Sequence, residues 1–223
     1  MHIGLIGGIG PAATNYYHRR LISKSAAGGQ QLDLTIAHAH SPTLLGNLER
    51  NDIDAQVAIF SHLTDRLAAA GADCVAVTAL AGHFCIEQFK LVSPLPVIDM
   101  LVEVDNAVTK LGLKRVGVLG TRTVMETRFY GAISGAEVLP PQGRTLGEVH
   151  EAYIAMAASG NVTEQQCTTF DDACREFIER DCVDSILLGG TDLALVYDPD
   201  TAAFPVLDCA AVHADAIVAM ASR

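Results

Sequence analysis

The chain states one pattern twice. His2-Ile3-Gly4-Leu5-Ile6-Gly7-Gly8 returns as Arg115-Val116-Gly117-Val118-Leu119-Gly120-Thr121, and Thr14-x-Tyr16-Tyr17 returns at the same offset as Thr127-x-Phe129-Tyr130. Further along, Asp73-Cys74-Val75-Ala76-Val77-Thr78-Ala79 matches Asp184-Ser185-Ile186-Leu187-Leu188-Gly189-Gly190, and Pro96-Val97-Ile98-Asp99 matches Pro205-Val206-Leu207-Asp208. Two long copies are too few for a stacked array, which needs three or more units of about 20–50 residues. The expectation is two pseudo-symmetric α/β lobes whose strand ends meet at an active-site cleft. Such a cleft can place one catalytic group on each side of a substrate.

Within each copy, short apolar runs alternate with helical stretches, the pattern of a parallel sheet flanked by crossover helices. Strands are predicted at Ile3–Ile6, Leu32–Ala37, Cys74–Ala79 and Val97-Ile98, then at Val116–Leu119, near Val138, and at Ile186–Leu188. Helices are predicted from Pro11 to about Lys24, over Asp52–Ala70 with Gly71 as its stop, and from Leu101 onward. In the second copy they fall at Thr123–Ile133, Leu146–Ala158 and Thr163–Arg180, with a closing helix over about Ala210–Ser222. The first lobe then comprises residues 1–98 plus 209–223, and the second residues 99–208.

Fifteen basic against 26 acidic residues give a net charge of −11. A chain so acidic is a poor partner for nucleic acid or anionic membranes, which require a positive surface. No apolar run approaches the roughly 18 residues of a membrane helix. The N-terminus runs straight into a strand, without the basic region and cleavage site of a secretory signal. Six cysteines (Cys74, Cys85, Cys167, Cys174, Cys182, Cys209) in 223 residues, with no CxxC pair, form neither a disulfide framework nor a zinc motif. Cys74, Cys182 and Cys209 read as small buried hydrophobes, and the setting as reducing and cytoplasmic.

Candidate functional residues cluster after the strands. Gly7-Gly8-Ile9-Gly10-Pro11 joins a strand to a helix, a turn whose exposed N–H groups suit a phosphate or carboxylate. It lacks the third glycine of the dinucleotide fingerprint. His83 follows the third strand and offers an imidazole that titrates near neutrality, fit for general acid–base work; a locally bonded histidine is the alternative. In the second copy, Gly190-Thr191-Asp192 occupies the same place, with Thr191 read as a helix N-cap and Asp192 as a first-turn acid or a site group. Gly120-Thr121-Arg122 makes another such turn. His38 and His40 share a face if their strand continues, but no ligand spacing supports a metal, and none is expected. Tyr16, Tyr17 and Phe129 read as core residues, with lining of the cleft as the alternative.

At these residues the chain resembles the aspartate/glutamate racemase superfamily, in the branch of aspartate and broad-specificity amino-acid racemases. The resemblance rests on Gly7 to Thr14 with Tyr16-Tyr17, on the strand ending before His83, and on Leu119 to Arg122 with Met125-Glu126 and Phe129-Tyr130. It continues through Gly189-Gly190-Thr191-Asp192 and Phe204 to Ala214. It implies a homodimeric, cofactor-independent enzyme acting on a small carboxylic or amino acid. In that superfamily one cysteine from each lobe faces the α-carbon, in motifs resembling C-N-T-x-H and G-C-T-E. Laid on this chain, the first cysteine falls at Ala79, its neighbours at Leu80 and Ala81, and the second at Gly190. Both thiols are absent, and adjacent Thr78 points to the opposite face of the strand.

The expected function is therefore proton transfer at the carbon α to a carboxylate by non-cysteine groups, of isomerase, lyase or decarboxylase type. His83, Asp192 and His40 are the catalytic candidates. Gly8, Ile9, Gly10, Thr121, Thr191, Gly190 and Ala79 are the substrate-binding candidates, with a substrate bulkier or less polar than aspartate. The alternatives are an amino-acid racemase or epimerase with atypical acid–base residues, and a non-catalytic carboxylate-binding protein on the same scaffold.

Overall fold

The computed structural model describes residues 1–8, 11–29 and 31–221. It divides into two compact units, one of Met1–Met100 with the segment from His213 onward, the other of Leu101–Val212.

In the first unit the elements run β1 (His2–Gly7), α1 (Pro11–Ala27), β2 (Asp33–His38), α2 (Ser41–Glu49), α3 (Ile53–Ala69) and β3 (Cys74–Val77). A 3-10 turn over Leu80–Cys85, α4 (Ile86–Val92) and β4 (Val97–Ile98) follow. The four strands are parallel in the order β2-β1-β3-β4. The second unit holds α5 (Met100–Leu111), β5 (Arg115–Leu119), α6 (Arg122–Glu126), β6 (Glu137–Leu139), α7 (Arg144–Ser159), α8 (Glu164–Glu179) and β7 (Ser185–Leu188). It ends with a 3-10 turn over Thr191–Leu195, β8 (Val206–Asp208) and the start of α9 (Cys209–Ala221). Its strands are parallel in the order β6-β5-β7-β8. The two sheets are thus copies of one topology, an α/β architecture of parallel sheets flanked by helices.

The repeated residues explain why both copies close the same way. Ile3, Leu5 and Ile6 in β1 and Val116, Val118 and Leu119 in β5 are fully buried, as central strands covered on both faces require. Each sheet has a glycine at the same step. A methyl on Gly4 would stand 3.1 Å from Leu67 Cδ1 of α3, and one on Gly117 only 2.7 Å from the Phe177 ring of α8. The missing side chains let those helices lie close on the sheet. Asp73 and Asp184, which open the third strand of each copy, fasten the first strand: His2 N donates to Asp73 Oδ2 at 2.7 Å, and Arg115 N to Asp184 Oδ2 at 2.9 Å. Helix starts are set locally, α3 by Asp52 accepting from Ala55 N, and α8 by a capping box between Thr163 and Gln166.

Several expectations need correction. The helix predicted over residues 123–133 stops at Glu126, and Arg128, Phe129 and Tyr130 then take left-handed backbone. Phe129 is fully buried there, so packing overrides the helical period. The second strand runs one residue further than predicted, to His38, and His40 holds, without a side-chain cap, the N-cap position of α2, a helix the apolar pattern did not reveal. Helix α4 was likewise missed. Cys182 is exposed, unlike Cys74 and Cys209, because it lies in the turn after α8 with φ 49°. Tyr17 and Phe129 do sit in the core, whereas Tyr16 is half-buried. Among the described residues no helix is long and apolar enough to cross a membrane.

Candidate functional site

In the first unit the C-terminal end of β3 leads through Ala79 into the 3-10 turn that carries His83. Ala79 is extended and buried, and His83 is 2% exposed. His83 Nδ1 lies 2.9 Å from Ala79 O. A carbonyl only accepts, so Nδ1 carries the proton and the neutral ring keeps its lone pair on Nε2. That Nε2 is buried without a hydrogen-bond partner. Burial pulls the His83 pKa down, and the nearby Asp99 carboxylate partly opposes it.

Beside it stands a histidine that lies within the matched segment Phe204 to Ala214 but carries no sequence-based role. His213 of α9 is fully buried, its ring edge-on to His83 at 6.3 Å between centroids. His213 Nε2 donates to Ile98 O at 2.9 Å, so its Nδ1 accepts, and Tyr17 OH donates to it at 2.9 Å. Burial, followed by the influence of His83, lowers the His213 pKa to about 3. Asp99 is also buried and receives Lys90 Nζ at 2.9 Å. The signal was present in the sequence: Asp99 ends the repeated Pro-Val-Ile-Asp segment, and His213 follows its second copy.

In the second unit, β7 ends at Gly189-Gly190, and the 3-10 turn starts at Thr191. Gly190, not Thr191, is its N-cap, and Asp192 lies in its first turn. Thr191 and Asp192 are each 2% exposed. Tyr153 of α7, which the sequence reading missed, donates its phenol to Asp192 Oδ2 at 3.2 Å. Burial first, then the Asp192 carboxylate, push the Tyr153 pKa well up. Its signal was the buried helical spacing of Val149, Tyr153 and Met156. Thr121 is buried and caps α6 by accepting from Val124 N at 3.3 Å. A methyl on the preceding Gly120 would stand 3.1 Å from Gly190 N, so this turn lies against the Gly190 peptide.

The structure thus groups Ala79 with His83, and Thr121 with Gly190, Thr191 and Asp192. It does not bring His40 into hydrogen-bonding contact with His83: His40 is exposed, and its Nδ1 pairs with Thr43 Oγ1 at 2.8 Å. Gly8 has φ 109° and donates to Thr14 Oγ1 at 2.8 Å, while Ser41 donates to its carbonyl. Ile9 and Gly10 lie outside the described residues. Thr78 donates its hydroxyl to Ile6 O at 3.2 Å. Cys85 is fully buried, its thiol pushed up to about 12 by burial. Burial thus keeps Cys85, two residues past His83, in its thiol form at neutral pH. Among the described residues, no group of three His, Cys, Asp or Glu side chains is arranged to hold a metal ion.

A model of the family described as Asp/Glu/hydantoin racemase matches residues 6–217. Among solved structures, a candidate Asp/Glu racemase from Yersinia pestis is 24% identical, with all of both chains covered and a TM-score of 0.85. An aspartate racemase homologue from Pyrococcus horikoshii is also 24% identical, over 100% of this chain and 99% of that one, with a TM-score of 0.81. The aspartate racemase of Picrophilus torridus is 19% identical, over 100% and 95% of the chains, with a TM-score of 0.77.

Proposed function

The chain belongs to the Asp/Glu/hydantoin racemase family, and from that premise we propose that it moves the proton at the carbon α to a carboxylate of a small carboxylic or amino acid, with His83 as the base. The observation that carries this reading is the state of His83. Its Nδ1–H is fixed on Ala79 O, its Nε2 lone pair has no partner, and its depressed pKa keeps it neutral at physiological pH. Such a ring is ready to accept a proton. The α-proton passes to Nε2, the bonding pair is left as an enediolate, and the imidazolium can return the proton to that carbanion. Asp99, whose charge favours the protonated ring, offsets part of the cost of forming that cation in a buried place.

In this reading Asp192 serves as the second polar group. In the first unit the turn at Gly8 holds the carboxylate and Ala79 leaves room for the substrate; in the second, the hydroxyls of Thr121 and Thr191 and the Gly190 backbone are the binding groups. The reaction class is isomerase, lyase or decarboxylase rather than two-thiol racemisation, supported by the raised Cys85 thiol and the absence of cysteine at positions 79 and 190. A homodimer in a reducing, cytoplasmic setting completes the proposal; the six free cysteines support the latter.

One observation favours a second reading. His83 is 2% exposed, and a substrate reaches Nε2 only after the covering side chains move aside. That suits a carboxylate-binding protein without turnover. Proton NMR in heavy water decides, with amino acids of both hands, phenylacetate and substituted malonates as probes. The proposal expects loss of the α-proton signal for one class, and a drop of about 100-fold or more in His83→Gln. Saturable binding with no exchange by any probe would replace it with the second reading.

A further inference from the structure

We infer that Tyr153 is the specificity-determining residue at the β7 end of the second unit: its ring occupies the space that a side chain on residue 190 would need, and so sets how large a group can be bound there. The role of this strand end in holding a carboxylic acid rests on the proposed function. The steric relation between Tyr153 and residue 190 does not.

The argument starts from a difference between the two copies. Both strand ends enter their 3-10 turn through an extended residue: Ala79 with φ −135° and ψ 125°, and Gly190 with φ −97° and ψ 115°. Any L-residue adopts the backbone of Gly190, so conformation does not demand glycine there. Space does. A methyl on Gly190 would lie within 2.6 Å of Tyr153 Cζ and 2.8 Å of Cδ2. The obstacle is the body of an aromatic ring that is 6% exposed, not the end of a flexible chain.

The ring is also tied in place. Its phenol donates to Asp192 Oδ2 at 3.2 Å, and the ring itself is buried. That partner belongs to the turn that Gly190 opens. The first copy carries apolar Leu80 and Ala81 at the equivalent positions. Gly190 and Asp192 therefore form one arrangement around Tyr153: one residue gives up its side chain to make room, and the other holds the hydroxyl. A phenol so held stays neutral and offers shape rather than proton transfer.

Two measurements test this. The first is a thermal-unfolding cycle of Gly190→Cys, Tyr153→Ala and the double variant. Gly190→Cys alone should lower the Tm by on the order of 5 °C, as overpacking does, and cost almost nothing in the Tyr153→Ala background. Equal losses in both backgrounds would overturn the steric claim. The second is calorimetric titration of wild type, Tyr153→Ala and Tyr153→Phe with acetate, butyrate, benzoate and phenylacetate. Tyr153→Ala should gain at least tenfold in affinity for the larger acids relative to acetate. Tyr153→Phe, which keeps the ring and loses only the phenol, should keep the wild-type order. The same order of affinities in all three proteins would overturn the specificity role, since a merely structural residue changes stability without re-ranking ligands. Binding of none of the acids by any of them would instead sink the carboxylate reading on which that role rests, with the Tm cycle still standing as a separate result.

Discussion

Lowering the pH should unfasten the first unit through His213, and the size of the effect follows from its surroundings. His213 is fully buried and bonded in its neutral form, Nε2–H to Ile98 O and Nδ1 receiving Tyr17 OH. Its pKa falls from 6.5 to about 3, with burial as the largest cause. The unfolded chain therefore binds a proton that the folded chain refuses over that interval. Stability from this residue is complete above about pH 6.5, declines as the pH falls below it, and levels off once the folded ring itself titrates. At about 1.4 kcal/mol per pH unit, the loss at about pH 4 amounts to roughly 3 kcal/mol. His83, depressed for the same leading reason, acts in the same direction.

The assay is urea unfolding at a series of pH values from about 7.5 to 4, comparing wild type with His213→Gln. Glutamine keeps a donor for Ile98 O but has nothing to protonate. The chain has no tryptophan, so far-ultraviolet circular dichroism is the suitable probe. If the two units unfold separately, the transition of the first unit should carry the difference. The variant should start less stable and lose roughly 3 kcal/mol less than wild type over the range. Parallel losses in the two proteins would refute the buried neutral state of His213.

Other consequences are open to direct measurement. Gly8→Ala should destabilise by about 2–4 kcal/mol, because φ is 109° and the new methyl would collide with Ala39 O and the His38 ring; a stability change within 0.5 kcal/mol (~ experimental scatter) in denaturant titration would contradict that turn. Thiol labelling followed by mass spectrometry at about pH 7.5 should mark exposed Cys182 first and Cys167 next, leaving Cys85 and Cys174, both pushed up to about 12 by burial, untouched in the native protein. Rapid native-state labelling of Cys85 would argue against its burial. Gly117→Ala should cost about 1–3 kcal/mol by driving Phe177 off β5, read as a lower unfolding midpoint.

The fold was legible because its determinants are local and stated twice. Apolar runs such as Ile3–Ile6 and Val116–Leu119 read as buried parallel strands, Asp52 and Gly71 bracket α3, and the repeated Asp-x-apolar and Pro-x-x-Asp segments give both sheets the same order. Legibility failed where a long-range contact outvoted the local pattern. Burial of Phe129 broke a helix whose period looked continuous, and the exposed turn at Cys182 overrode its apolar neighbours.

The candidate site divides along the same line. Sequence by itself pointed to the positions proposed for the chemistry: the strand ends at Ala79–His83 and Gly190–Asp192, with alanine and glycine where the resembling family carries its cysteines. Tertiary structure alone decided which partners those groups have. It set His213 and Asp99 beside His83, left Nε2 without a donor, turned Tyr153 onto Gly190 and Asp192, and kept His40 at the surface. The physical reason is range. A strand or a cap is fixed by neighbours a few residues away, whereas a buried hydrogen bond between residues 17 and 213 or 153 and 192 exists only once the core has closed around it.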